Sequence, residues 1–272
     1  MRIGVVGLGL IGGSLAMALR ARHEVNGFDV DRDARDAAAR AGLGVVDRLE
    51  ALLPADAVIV ATPIGAVLPT LAALAPRAGD AVLVDVSSVR GPVEAFVRES
   101  ANGGRVVGMH PMAGRAGRGF AAADPALLVG RPFLLVPTTH ADAGAMAIAG
   151  ELARDAGGVV TVCSAVEHDR IVAFLSALPL ALAAALSVAA EDALGGGVAA
   201  LAGPGFRDAT RVAGTSLDLG EAILAANPAH VVAALAALRG VLDEIERAVA
   251  ERDMVGLRAV LERAQAMRAR LD

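Results

Sequence analysis

No lysine occurs anywhere in the 272 residues; all 25 basic side chains are arginine. Any mechanism built on a catalytic lysine is therefore excluded. Tryptophan and tyrosine are absent too, and phenylalanine occurs only six times, so the chain has no aromatic platform on which nucleic-acid bases would stack. A formal net charge of −5 supplies no electrostatic pull toward nucleic acid either. Cys163 is single, which rules out a disulfide framework or a cysteine-based metal site within one chain. It lies in the strand-like run "VVTVC" and is expected to be buried and inert. The histidines and acids show no H-x-x-x-H or equivalent spacing, so no metal is expected.

What is present is apolar. Hydrophobic residues make up 55% of the chain and charged residues 20%, enough to build a sizeable core and too apolar for disorder. The start "MRIGVVG" enters a strand at once, with no charged-then-apolar leader, and a soluble cytoplasmic protein is expected. Residues 171–190, "IVAFLSALPLALAAALSVAA", run 20 residues without a charge, long enough to cross a bilayer. The small side chains, with Ser176, Pro179 and Ser187 inside the run, favour a helix buried by protein rather than lipid. A homodimer interface is expected to provide that cover, with no membrane partner.

The first part of the chain alternates strand-like and helix-like patterns. Strands are expected at 2–6, 24–28, 57–61, 81–85, 105–109, 132–136 and 159–163, with helices at 11–22, 31–41 and 92–100 among those between them. Such alternation implies a doubly wound, mostly parallel α/β sheet of the Rossmann kind over residues 1–164. From 165 to 272 the pattern is all-helical, with breaks expected near Pro179, at "GGG" (195–197), at "GPG" (203–205) and at Asn227-Pro228, and one last charged helix over about 229–270.

The first strand runs into Gly7-Leu8-Gly9-Leu10-Ile11-Gly12. In such a fingerprint Gly7 allows the tight turn, Gly9 lets a pyrophosphate approach the backbone, and Gly12 lets helix and strand pack closely. Leu10 and Ile11 open the helix whose free N–H groups face the phosphates. Asp29 follows Gly12 by 17 residues, near the spacing of about 20 for a ribose-binding carboxylate. A carboxylate there accepts from the 2′-hydroxyl and repels a 2′-phosphate, which favours NAD over NADP, although Arg32 and Arg35 stand nearby. Thr62 and Pro63, in "ATP" (61–63), and the stretch "DVSSVRG" (85–91) end the next two strands, on the edge where open α/β sheets bind ligands.

His110, in "VVGMHPMAG" (106–114), follows an apolar strand and precedes a proline and a glycine turn, so its imidazole is placed at the same edge, able to accept a proton near neutral pH. His23, His140, His168 and His230 rank behind it, none standing at an expected strand end facing the cofactor.

The stretches "GLGLIGGSLA" (7–16), "DVSSVRG" (85–91), "GMHPMAG" (108–114), "EHDRIVAFLSALP" (167–179) and "GPGFRDATRVA" (203–213) together resemble the prephenate/arogenate dehydrogenase family of tyrosine biosynthesis. The likeness spans some 200 residues and both parts of the chain. It implies a nucleotide domain followed by a helical dimerisation domain. It also implies oxidative decarboxylation: NAD takes a hydride from the ring carbon bearing the hydroxyl while the ring carboxylate leaves as CO2. By the same resemblance His110 accepts a hydrogen bond from that hydroxyl, Ser88 contacts the hydroxyl and helps orient His110, and Arg211 binds a substrate carboxylate with its planar fork.

The chain departs from the family pattern at the substrate side. Ala177 and Leu180 stand in "SALPL" where the family commonly has two histidines, Arg115 and Ala116 follow "HPMAG" in place of Ser/Thr-Glu, and Leu219 replaces a Trp. Arg115 is a candidate to restore a cation near the substrate. These departures leave three alternatives open: prephenate or arogenate as substrate, a modified prephenate or other small acid or imine on the same scaffold, or a catalytically silent nucleotide-binding homologue. The absence of lysine removes the strategies of β-hydroxyacid dehydrogenases and ketopantoate reductases.

Overall fold

The computed structural model describes residues 1–100, 105–115 and 117–271. Its first part is an eight-stranded sheet. The strands are β1 (Arg2–Val6), β2 (Glu24–Phe28), β3 (Gly44–Val45), β4 (Ala57–Val60), β5 (Val82–Asp85), β6 (Arg105–Pro111), β7 (Pro132–Pro137) and β8 (Val159–Val162). They lie in the order β3-β2-β1-β4-β5-β6-β7-β8; β1 to β6 are parallel, and β7 and β8, parallel to each other, run antiparallel to them. The expected strands all form. β3 is an addition, too short at two residues to carry a pattern.

Both faces of the sheet are covered, and the strand period of two sorts side chains between them. Ile3, Val5, Ile59, Val84, Val107 and Met109 face one side, where they pack with Leu15 and Leu19 of α1 (Leu10–Leu19), Ala38 of α2 (Arg32–Arg40) and, further along the chain, Leu152 of the helix Ala143–Asp155. Val6, Val58, Val60, Leu83 and Val106 face the other, against Val67, Leu71 and Leu74 of α3 (Ile64–Leu74) and Val93 and Val97 of α4 (Gly91–Glu99). The helix Ala143–Asp155 is α5.

After β8 the chain is helical: α6 (Ala165–Val172), a π-helical turn (Ala173–Ala177), α7 (Leu178–Leu194), α8 (Val198–Leu201), α9 (Pro204–Thr210), α10 (Leu217–Ala225), α11 (Pro228–Ala250) and α12 (Met254–Arg268). Three expectations are corrected here. The chain does not break at Pro179; it stays helical through 165–194, with a π turn just upstream of the proline, and the expected break comes at 195–197, where Gly195 takes a φ of 65°. The last helix is two, because Arg252 adopts a left-handed φ of 57° and Asp253 then caps α12 through its side chain. Cys163 is half-buried rather than enclosed, since β8 is an edge strand; burial and the neighbouring Glu167 still push its thiol pKa up.

The helical part has little core of its own. Its buried cluster is Ala173, Ala177, Val231 and Ala234, all small. The apolar helix expected to be buried is only 28% buried over its most apolar window, and Leu175, Leu182, Leu186 and Val188 stand exposed. One protomer does not cover this surface.

Candidate active site

The turn after β1 has the shape the glycine spacing requires. Gly7 sits at φ +89°, and a Cβ on it would lie 2.6 Å from the carbonyl oxygen of Ala61. A Cβ on Gly12 would lie 1.8 Å from the Gly7 carbonyl oxygen, so only glycine lets α1 pack this close to the strand. Gly9 is the opposite case: a Cβ there meets nothing within 4 Å, which leaves its backbone facing open space at the start of α1. No side chain caps that helix end, so the N–H groups of its first turn, those of Leu10 and Ile11 among them, are free for an anion.

Asp29 closes the other side of the turn. One carboxylate oxygen accepts from the Leu8 amide at 2.7 Å and the other from the Asp31 amide at 2.9 Å, which fixes the group at the carboxyl end of β2. Arg35 donates to the Asp29 and Val30 carbonyls and lies beside the Phe28 ring; Arg32 is exposed and stands near Asp36. At the end of β4 the hydroxyl of Thr62 is buried with no hydrogen-bond partner among the described residues, and Pro63 is the N-cap of α3. A glycine cradle, an uncapped helix N-terminus, a fixed carboxylate and an orphaned buried hydroxyl around one sheet edge fit a dinucleotide.

His110 lies two residues beyond the point where β6 pairs with the end of β5, so it projects past the carboxyl edge of the parallel strands. Its Nδ1 is 2.9 Å from Nε2 of His168. His168, fully buried, places its Nδ1 2.8 Å from Oδ1 of Asp169. Asp169 accepts at the same time from the Arg90 amide at its Oδ1 and the Gly91 amide at its Oδ2, both at 2.8 Å. Asn227 donates its side-chain amide to the Asp169 carbonyl, which ties the start of α11 to the same point.

His168 opens a helix rather than ending a strand, so its sequence position alone gives no sign of the cofactor edge. α6 nevertheless packs on α4 and β7, and this brings its first turns up to β6. A signal was available: Ser164 and Glu167 form a reciprocal capping box in the S-x-x-E pattern, which fixes where α6 begins and hence which way His168 points.

Beneath the histidines lies a buried ion pair. Arg90 and Asp85 are 2.7 Å apart and almost wholly enclosed. Arg90 also donates to the Asp85 and Ser87 carbonyls and the Ser87 hydroxyl, while its Nε is buried without a partner among the described residues. Gly108 makes room for it; a Cβ there would lie 2.4 Å from the guanidinium. The cation matters for the bases above. Burial, then His168, then Arg90 hold the His110 pKa well below the ordinary 6.5. Burial also lowers that of His168, with Arg90 acting the same way, against the opposing pull of the Asp169 hydrogen bond. Burial works to raise the Asp169 pKa, but the hydrogen bonds from His168 and the two amides outweigh it, and the carboxyl lies below its usual range.

The other expected residues are placed as follows. Ser88 is part-buried beyond the end of β5 and makes no hydrogen bond among the described residues; the ring partner of His110 is His168. Arg115 is exposed and already engaged, 3.2 Å from Asp124 and donating to the Ala122 carbonyl. Ala116 lies outside the described residues. Arg211 is exposed on a short turn, Arg211–Gly214, whose main contacts are α7 and α9, and it has no ion pair among the described residues. Ala177 and Leu180 are both buried, and Leu219 is exposed.

Comparison with known proteins bears on both parts of the chain. Residues 15–162 match the prephenate dehydrogenase nucleotide-binding domain, and residues 164–263 match the prephenate dehydrogenase dimerization domain. Cyclohexadienyl dehydrogenase of Zymomonas mobilis subsp. mobilis is 30% identical over 261 residues, 92% of this chain and 89% of the relative. The crystal structure of Synechocystis arogenate dehydrogenase superposes with a TM-score of 0.87 at 31% identity, covering 100% of both chains. That of A. aeolicus prephenate dehydrogenase, in complex with hydroxyphenyl propionate and NAD+, shares the fold at a TM-score of 0.92 and 24% identity, covering 100% of this chain and 99% of the other. With both domains matched in order along one chain, this protein belongs to the prephenate dehydrogenase family.

Proposed function

We propose that the chain carries out the NAD-dependent oxidative decarboxylation of prephenate or arogenate, as a homodimer built through its helical domain. The observation that carries this reading is the placement of His110 on the same sheet edge as the glycine cradle, with only its Nδ1 engaged among the described residues. An alcohol oxidation needs a hydride acceptor and a hydrogen-bond acceptor for the hydroxyl, and this edge supplies a place for each.

Bound NAD+ supplies the hydride acceptor. The chain does the rest. Nε2 of His110 accepts the hydrogen bond of the substrate hydroxyl and favours carbonyl character at that carbon as the hydride departs. The ring carboxylate leaves as CO2, its bonding electron pair closes the aromatic ring, and the hydroxyl proton remains on the resulting phenol. Ser88, with an uncommitted hydroxyl at the end of β5, contacts the same oxygen. Arg211 binds a substrate carboxylate; Arg115, already neutralised by Asp124, is the weaker candidate for that task. Gly7, Gly9, Leu10, Ile11, Gly12, Thr62 and Pro63 hold the dinucleotide, and Asp29 accepts from its ribose.

NAD is favoured over NADP because the Asp29 carboxylate would repel a 2′-phosphate. Arg35, turned onto the Asp29 and Val30 carbonyls, offers that phosphate no compensating clamp. Parallel assays of prephenate and arogenate with NAD+ and with NADP+ test the reading by the appearance of reduced cofactor. Turnover with one of the two acids, faster with NAD+, is expected. His110→Ala should lose about a hundredfold or more in kcat while NAD+ binding stays unchanged. If neither acid yields NADH above background, the assignment fails, and the buried apolar Ala177 and Leu180 then direct the search to a modified prephenate.

A further inference from the structure

The hydrogen bonds around His110 leave no freedom in where its proton sits. Asp169 takes two backbone amides and is an ionised acceptor. Nδ1 of His168, 2.8 Å from that carboxylate, must therefore carry a proton; a bare nitrogen there would set two lone pairs against each other. Neutral His168 then has a bare Nε2, which can only accept. Its neighbour at 2.9 Å, Nδ1 of His110, must donate. It follows that Nε2 of His110 is bare, a lone pair aimed away from the relay.

We propose that His168 is a positioning residue: held by Asp169, it accepts the Nδ1 proton of His110 and so fixes the tautomer in which Nε2 of His110 is the acceptor for the substrate hydroxyl. This assignment rests on the reading of His110 given above. When the hydroxyl proton is drawn toward Nε2, the partial positive charge on His110 is shared through the Nδ1–His168 bond and balanced by Asp169. The charged and titratable groups around the pair are Asp169, Arg90 and Asp85. Arg90 stands on the side that opposes protonation of either ring. With burial, it works against a doubly protonated His168, which Asp169 and Asp85 favour and which would donate to His110 Nδ1 and move the His110 proton onto Nε2.

Nitrogen-15 NMR of histidine-labelled protein at neutral pH reads the tautomer directly, with His110→Gln used to assign the His110 signals. The wild type should show His110 protonated at Nδ1 and bare at Nε2. His168→Leu, which offers no acceptor, should move the His110 proton to Nε2 in part or in full and lower kcat about a hundredfold, with KM for NAD+ within about twofold. His168→Gln, with a carbonyl to accept from His110 and an amide to donate to Asp169, should keep the wild-type tautomer. Wild-type His110 protonated at Nε2 would overturn the proposal, as would a His168→Leu protein that retains the Nδ1–H tautomer or full kcat. Should His168→Leu not fold, the wild-type tautomer decides alone. The tautomer is read without substrate, so a failure of the substrate assignment leaves this outcome distinct.

Discussion

At the residue scale, the proposed chemistry needs two imidazoles kept neutral beside a buried cation. Burial and Arg90 depress the pKa of His110 below 6.5, so the base stays unprotonated as the pH falls through that value. The profile of kcat/KM should be flat from about pH 8 down through 6.5 and turn down only in more acid solution. An acid limb centred at or above 6.5 would contradict this. Stability carries the same sign. His110 and His168 have lower pKa values folded than unfolded, so below about 6.5 the unfolded chain binds more protons and stability is lost as the pH falls toward the folded values. The glycine cradle and His110 were legible because each lies within one short stretch whose spacing has a direct geometric meaning. The relay was not. His110 and His168 are 58 residues apart, on β6 and α6, and only the packing of α6 against β7 and α4 brings them together.

At the element scale, α6 is the lever that aims the relay, and its first turn is set by the Ser164–Glu167 box. The Ser164 hydroxyl accepts from the Glu167 amide, and the Glu167 carboxylate accepts from the Ser164 amide. Ser164→Ala should cost about 1 kcal/mol, measured by denaturant unfolding. It should also lower kcat by more than it raises KM for NAD+, because the helix end that carries His168 loosens while the glycine turn is untouched. Equal loss on both parameters would place the effect elsewhere. The strands were legible from their apolar runs. The helix boundaries were less so, because they turn on single residues. Pro179 reads as a breaker in sequence but sits in the first turn of α7, where the missing N–H is tolerated, and the π turn of 173–177 carries the adjustment. Arg252 reads as one more charged helix residue, yet its left-handed backbone ends α11.

At the scale of the whole molecule, the two parts differ in how they are held. The sheet has two layers of helices and a core on each face, whereas the buried apolar side chains described in the helical part are few and mostly small: the cluster Ala173, Ala177, Val231 and Ala234, with Val172, Leu180, Ala183, Ala248 and Val260 buried beside it or elsewhere. That is little buried apolar surface for seven helices that leave several leucines exposed. The apolar run at 171–190 is left largely open by one protomer, and the match of this part to a dimerization domain makes a second copy the cover to test. Leu182 and Leu186 lie one turn apart on α7, both exposed, and share a face. Replacing both with arginine would put two charges into any apolar contact made there and leave the sheet domain unaltered. Analytical ultracentrifugation should give a dimer for the wild-type chain and a monomer for the double variant. Thermal unfolding of the variant should separate into an early loss of helix and a later loss of the sheet domain. A double variant that remains dimeric with a single unfolding transition would show that another face of the helical domain makes the contact.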